Sequence, residues 1–236
     1  MKYMKNKLLT ILLPLLPIMV CSTMSASQGH REKYTGVLRH YSQNASDSLK
    51  YKAALFVIDN MEGHCSPEGK AMDSFISHIR TMKKAKGIRE LQTAWNSSLR
   101  EGRVEIVPDS MVVTDEFLIN DIDNAYNSWQ QSQWKDSITF SLFCRYILPY
   151  RINDEHFGGN WRESLRKQYA AVIEGVSDMR KAFAIVRDTV FNVIALSNSY
   201  CNYNLDPLTC NIVGRAECSQ RCILLVAVLR ALGIPA

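Results

Sequence analysis

The sequence has no apolar run long enough to cross a bilayer. Its longest, Leu8 to Val20 (LLTILLPLLPIMV), falls short of the roughly 20 residues a spanning helix needs, and Pro14 and Pro17 interrupt it. The chain is therefore read as soluble, or held to a membrane only at its N-terminus. Surplus charge of one sign is also scarce. The formal charge is +5, from 28 lysines and arginines against 23 acidic residues, but Lys2, Lys5 and Lys7 precede the apolar run; without them 25 basic residues face 23 acidic ones. So nearly neutral a chain argues for no nucleic acid or other polyanionic partner. There is no C-x-x-C pair, no internal repeat and no low-complexity tract. Histidine is limited to His30, His40, His64, His78 and His156.

What is present begins with an export signal over residues 1–22, three lysines followed by the uncharged apolar run and then small residues. Cys21 directly follows that run, the place where a bacterial lipoprotein carries its lipidated cysteine. The other reading is ordinary cleavage near Ser22 to Ser27. Both put the mature chain outside the cytoplasm, in the periplasm or at the cell surface, with a lipid anchor at Cys21 in the first case. An oxidising compartment permits disulfides among Cys65, Cys144, Cys201, Cys210, Cys218 and Cys222. Cys144, within the apolar SITFSLFCRYIL, reads as a buried thiol.

Across the 236 residues, 47% hydrophobic content suffices for a buried core in one large or two small domains. The pattern is mainly α. Leu49, Ala53, Phe56, Val57 and Met61 recur at helical spacing over 47–61, Gly63 and Pro67 break the pattern, and a helix over 71–84 follows. Lys83, Lys84, Lys86 and Arg89 form a basic run that reads as a solvated face. Val104 to Val113 is the best strand candidate, with Pro108 restricting it to an edge. Thr114 then starts a helix whose apolar face is Phe117, Leu118, Ile122, Ala125 and Trp129. Another helix near 137–148 ends at Pro149. The polar, glycine-ended stretch 150–159 divides an N-terminal helical region, 30–150, from 151–236. Asn160 and Glu163 have capping-box spacing, and Leu165, Tyr169, Val172 and Ile173 form the stripe that follows. From Asp178 a longer helix, 179–196, buries Phe183, Val186, Val190, Val193 and Ile194. Trp129, Trp134 and Trp161 sit at helical spacing and read as core.

The chemistry concentrates in 199–236. A turn-rich stretch runs into Cys218 and then into an almost wholly apolar helix, Cys222 to Leu232, capped by Gly233 and stopped by Pro235. Cys218 therefore opens a buried helix, where unpaired N–H groups and the positive end of the helix dipole favour a thiolate. The same N–H groups suit an oxyanion formed in acyl transfer. Arg215 and Arg221 add positive charge nearby.

Gly214 to Ala236, GRAECSQRCILLVAVLRALGIPA, resembles the nucleophile segment of the transglutaminase-like superfamily. There a glycine and a cysteine precede an apolar helix ending in Arg, two small or apolar residues and Gly-Ile-Pro-Ala, matched here by Arg230 and by Gly233, Ile234, Pro235 and Ala236. Lys181 to Leu196 resembles the helix preceding that cysteine, so the likeness covers about Ser177 onward. It implies the helical first half of an α+β core, with Cys218 as nucleophile and Cys222, one turn deeper, as a core thiol. It also implies a histidine base and an Asp or Asn partner on strands after the helix. The chain ends before either, so it is expected to be a truncated form, inactive as it stands, of a thiol hydrolase or acyltransferase acting on peptide or carboxamide bonds of a protein or peptide substrate. No cofactor or metal is implied, and the oligomeric state is open.

Three other readings compete. His156, in DEHFGG, is the one upstream histidine with neighbouring carboxylates, although a loop histidine beside acids is ordinarily an exposed residue. Cys201, Cys210, Cys218 and Cys222 lie within one short segment, but their gaps are not those of zinc knuckles, and a Cys201–Cys210 disulfide is preferred to zinc. Finally, the fold can serve a noncatalytic extracytoplasmic binding module.

Overall fold

The computed structural model describes residues 27–82 and 87–236, so the export signal, Cys21 and Lys83, Lys84 and Lys86 of the basic run lie outside the described residues. The fold is mainly α. In chain order the elements are α1 (Thr35–Ser42), α2 (Ser48–Asp59), β1 (Cys65–Glu68), α3 (Lys70–Thr81), α4 (Ile88–Glu101), β2 (Glu105–Pro108), the short α5 (Asp109–Val112), α6 (Asp115–Gln130), α7 (Phe140–Tyr146), α8 (Arg162–Tyr169), α9 (Met179–Val193), β3 (Ala195–Leu196), α10 (Pro207–Val213), β4 (Arg215–Ala216) and α11 (Cys218–Ala231). No helix among the described residues is long and apolar enough to cross a membrane.

Helix α11 occupies the centre, packed by α6, α8, α9 and α10. Ile223, Leu224, Leu225, Ala227, Val228 and Leu229 are buried there, and at roughly 1.5–3 kcal/mol for each large aliphatic side chain this face alone fixes the helix firmly. The same apolar cluster takes in Tyr34, Val37 and Tyr41 from the N-terminal helices and Leu118, Ile122, Ala125 and Trp129 from α6. Residues before and after 150–159 thus share one core. A second cluster joins Met72, Phe75, Ile76 and Ile79 of α3 to Leu91, Ala94 and Trp95 of α4, and seats both on Tyr200, Cys201, Leu205 and Val213. Trp129, Trp134, Trp161 and Cys144 are all buried, as their spacing indicates.

Among the described residues strand structure is confined to two small pairs. The extended stretch expected over 104–113 contracts to β2, because the chain turns helical at Asp109; β2 pairs antiparallel with β1, a partner the sequence pattern does not announce. β3 and β4 form a two-residue parallel pair. Three expectations about helices also change. Thr114 accepts from the Phe117 N–H as a cap should, but the Asn160 and Glu163 box does not form: α8 starts after Trp161 with no side-chain cap. Its first residue, Arg162, is instead pulled into the core by Asp121, 2.7 Å away. On α9 the buried stripe is Ala182, Val186 and Val190, while Phe183 (40% exposed) and Val193 (49%) face outward. Helices α4 and α10 arise where the sequence reading placed a basic run and turns.

The stretch 150–159 is not a solvated linker. Arg162 donates to the carbonyls of Ile147, Leu148 and Pro149, and Arg230 to those of Pro149 and Arg151. Arg151 is itself buried against Asp109, which also accepts from the Tyr150 hydroxyl. Irregular backbone can be buried only where its polar groups find partners, and here arginines supply them.

Candidate functional site

The approach to Cys218 is built by short, closely tied segments. Asp206 caps α10 by accepting from the Thr209 N–H at 3.0 Å, with Pro207 opening that helix, and the chain leaves it through Gly214 in the left-handed region. Strand β4 follows and carries the chain to Glu217, whose extended backbone turns directly into α11. Gln220, buried in the first turn, donates to the Leu205 carbonyl (2.8 Å) and accepts from the Leu205 N–H (2.6 Å), locking the preceding loop onto the helix. Arg221 donates to the Phe191 carbonyl at 2.8 Å and lies over the Phe191 ring at 4.2 Å. With residues 220 and 221 held inward and sideways, Cys218 and Ser219 face solvent.

Cys218 is thus an exposed thiol on the first residue of a rigid helix. The first intrahelical bond runs from the Arg221 N–H to the Glu217 carbonyl, and no side chain caps the end. The N–H groups of the opening turn consequently point past the helix toward the thiol's surroundings, where they can stabilise a thiolate or an oxyanion. The Glu217 carboxylate works against this field; it accepts from Ser219 Oγ at 3.3 Å.

The remaining motif residues are structural. Gly233 has φ +73° and ends α11 in a tight turn, with the Ile234 N–H bonded to the Leu229 carbonyl. A Cβ on Gly233 would fall 2.5 Å from the Ser128 carbonyl of α6. The Ala236 N–H reaches the Tyr146 carbonyl, and Arg230 Nε donates to the Ala236 carbonyl. Burial lowers the Arg230 pKa to about 10, helped by the neighbouring Arg162.

Cys222 corrects the reading of a core thiol. It is exposed, on the same strip of α11 as Cys218, because the helix turns its packed side toward α8, α9 and α10 and leaves 218, 219 and 222 uncovered. Cys201 and Cys210 are free rather than paired. Cys201 donates to the Tyr203 carbonyl at 3.0 Å, and the Cys210 thiol points to the Gln220 carbonyl at 3.8 Å. Burial pushes these thiols up to about 11 and about 12 respectively. Among the described residues no group of three or more His, Cys, Asp or Glu side chains is arranged to hold a metal ion, so the four-thiolate alternative has no geometry here.

His156 is the second correction, since it is buried rather than exposed. Its Nε2 lies 3.3 Å from Glu68 of β1 and its Nδ1 3.6 Å from Asp206. The backbone joins in: the His156 N–H donates to the Asn204 carbonyl and the Phe157 N–H to Glu68. Gly158 closes the arrangement, because a Cβ there would lie 2.2 Å from the Asp206 side chain. Burial opposes protonation of the imidazole, yet Asp206 and Glu68 outweigh it and raise its pKa to about 9. A cation held between two carboxylates is a clamp, and a poor general base at neutral pH. No hydrogen bond joins any of the five histidines to Cys218.

A cleft of about 520 Å³ lies elsewhere, between the end of α2 and the stretch 149–154, lined by Phe56, Asn60, His64, Cys65, Tyr150 and Arg151. Burial, together with Arg151, lowers the His64 pKa, although Asp109 opposes it. The hollow beside Glu217 and Gln220 is only about 10 Å³. Access to Cys218 is therefore from the open surface. Comparison with protein-family models, with curated proteins and with solved structures gives no match.

Proposed function

We propose that this chain carries the helical half of a transglutaminase-like thiol acyl-transfer core, exported from the cytoplasm, with Cys218 as its nucleophile. What supports the reading is one observation: the thiol at the motif position is exposed at the start of a helix whose flanks are immobilised by Gln220 and Arg221 and whose terminal N–H groups carry no cap. In the proposed step the Cys218 thiolate adds to a peptide or carboxamide carbonyl. The tetrahedral oxyanion is stabilised by the N–H groups, and its collapse forms a thioester while the departing amine takes up a proton. Water then releases the acid and regenerates the thiol. The step needs a base for the thiol proton and an acid for the amine; His156 is committed to its carboxylates, so those groups must approach from a segment or partner packed over the exposed face of α11.

A second reading is a noncatalytic extracytoplasmic binding module. Leu196 (66% exposed) and Val193 flank the same region, and such apolar exposure suits contact with another protein. Alkylation with iodoacetamide near neutral pH separates the two. The acyl-transfer reading expects Cys218 to react well before Cys222, which is also exposed but lies one turn from the helix end, and before the buried Cys144, Cys201 and Cys210. Equal rates at Cys218 and Cys222 would remove the nucleophile and leave the binding module.

A further inference from the structure

The exposed strip of α11 carries two thiols. Cys218 and Cys222 are four residues apart and both exposed, whereas Cys144, Cys201 and Cys210 are buried and Cys65 sits on β1. Residues i and i+4 of a helix project from one face with Cβ atoms about 5–6 Å apart. That is wider than the roughly 3.5–4.5 Å a disulfide requires, so the pair does not close on itself while the helix is intact. It does match two sulfurs bridged by a cation: thiolate–metal bonds of about 2.3 Å place the sulfurs up to about 4.6 Å apart in a linear arrangement.

The donor set decides which cation. Among the described residues no third His, Cys, Asp or Glu converges on the two thiolates; such a pair does not make the four-ligand shell of zinc or the oxygen shell of magnesium or calcium, and soft sulfur donors select monovalent copper and ions like it. Charge agrees. Binding Cu(I) through two thiols releases two protons and leaves the site with a single negative charge, placed at the positive end of α11, in the turn that also carries Arg221. We propose that Cys218 and Cys222 form a two-thiolate site for a soft monovalent cation of the Cu(I) class. The cation occupies the sulfur that acyl transfer would use, so a loaded chain is closed to electrophiles at Cys218. The site itself does not rest on the acyl-transfer reading, which uses one sulfur and not both.

The experiment is an anaerobic titration of the full chain, thiols reduced, with Cu(I) against bicinchoninate as a coloured competitor. One Cu(I) per chain is expected. Cys218→Ser and Cys222→Ser should each weaken binding by more than the roughly 10–100-fold that removing a mere supporting group costs, while Cys65→Ser leaves it unchanged. Both substitutions are at exposed positions, and circular dichroism is the check that both variants fold. Bound Cu(I) should also slow iodoacetamide at Cys218 and Cys222 together. Wild-type affinity in Cys222→Ser, or loss of binding in Cys65→Ser, overturns the proposal. If Cys218 alkylates fastest in a chain that takes up no Cu(I), the cation site fails and the nucleophile stands; uptake of Cu(I) with equal alkylation rates gives the converse.

Discussion

Replacing His156 with glutamine isolates one buried charge whose value to the fold can be worked out beforehand. The imidazolium lies between Glu68 and Asp206, with side chains only 8%, 17% and 1% exposed respectively, so screening by water is slight. A pKa of about 9 in the folded protein, against about 6.5 in an unfolded chain, corresponds to about 3 kcal/mol of stability. Because the folded value is the higher, this contribution is complete below about pH 6.5 and disappears as pH rises through about 9. The two carboxylates are shifted the other way: burial raises their pKa values, but His156 together with hydrogen bonds from Phe157 and Ser66 to Glu68 and from Thr209 to Asp206 leaves them lowered, so their share is complete above the usual carboxylate range and is lost as pH falls through the lowered values. His156→Gln abandons two carboxylates in a buried site, an uncompensated charge that costs about 3–5 kcal/mol. Urea denaturation of both proteins at pH 6, 8 and 9.5 should therefore show a stability gap of that size at pH 6, narrowing by about 3 kcal/mol at pH 9.5. Adding Glu68→Gln to the variant should recover part of the loss at pH 6. A gap that stays constant with pH would refute the charged clamp and leave His156 as packing alone.

Further expectations concern the ends of α11 and the arginines behind it. Gly233→Ala forces a left-handed backbone and a contact with the Ser128 carbonyl, and a loss of about 1–3 kcal/mol is expected from the denaturant midpoint at unchanged slope. Arg162→Met strands Asp121 and the Ile147 and Leu148 carbonyl oxygens, while Pro149 keeps its bond from Arg230, for a loss of about 3–5 kcal/mol by the same measurement. Asp121→Asn on that background should restore part of it, since the charge then disappears; no recovery would assign the cost to the carbonyls.

Periodicity was sufficient for helices that bury one continuous stripe. Helix α6 is legible through Thr114, Phe117, Leu118, Ile122 and Ala125, and the central place of α11 through its nearly unbroken apolar run. α4 was legible but unread: Leu91, Ala94, Trp95 and Ser98 have helical spacing, hidden behind a preceding basic run. α10 had its own punctuation in Asp206, Pro207 and Gly214. The parallel pairing of β3 and β4 had no signal, because two residues cannot carry a period. The strip of α11 holding Cys222 was misjudged for a related reason. Composition tells that a helix is apolar, but which few residues face outward depends on neighbours that pack from elsewhere in the chain. His156 fell to the same limit, since Glu68 and Asp206 come from β1 and from the loop before α10, far apart in sequence. The position of Cys218 depended only on where the local apolar helix begins and ends, and could be read directly.

The two guanidiniums that grip the carbonyls of 147–151 also govern how the molecule comes apart. Arg162 belongs to α8 and Arg230 to α11, so the strap cannot lift without breaking bonds to two helices at once, one of them central. The buried, bonded amide hydrogens of Ile147, Leu148 and His156 should then exchange with solvent through openings nearly as costly as global unfolding, rather than by local fraying. A protease seeking an irregular segment would find this one closed for as long as α11 stays seated.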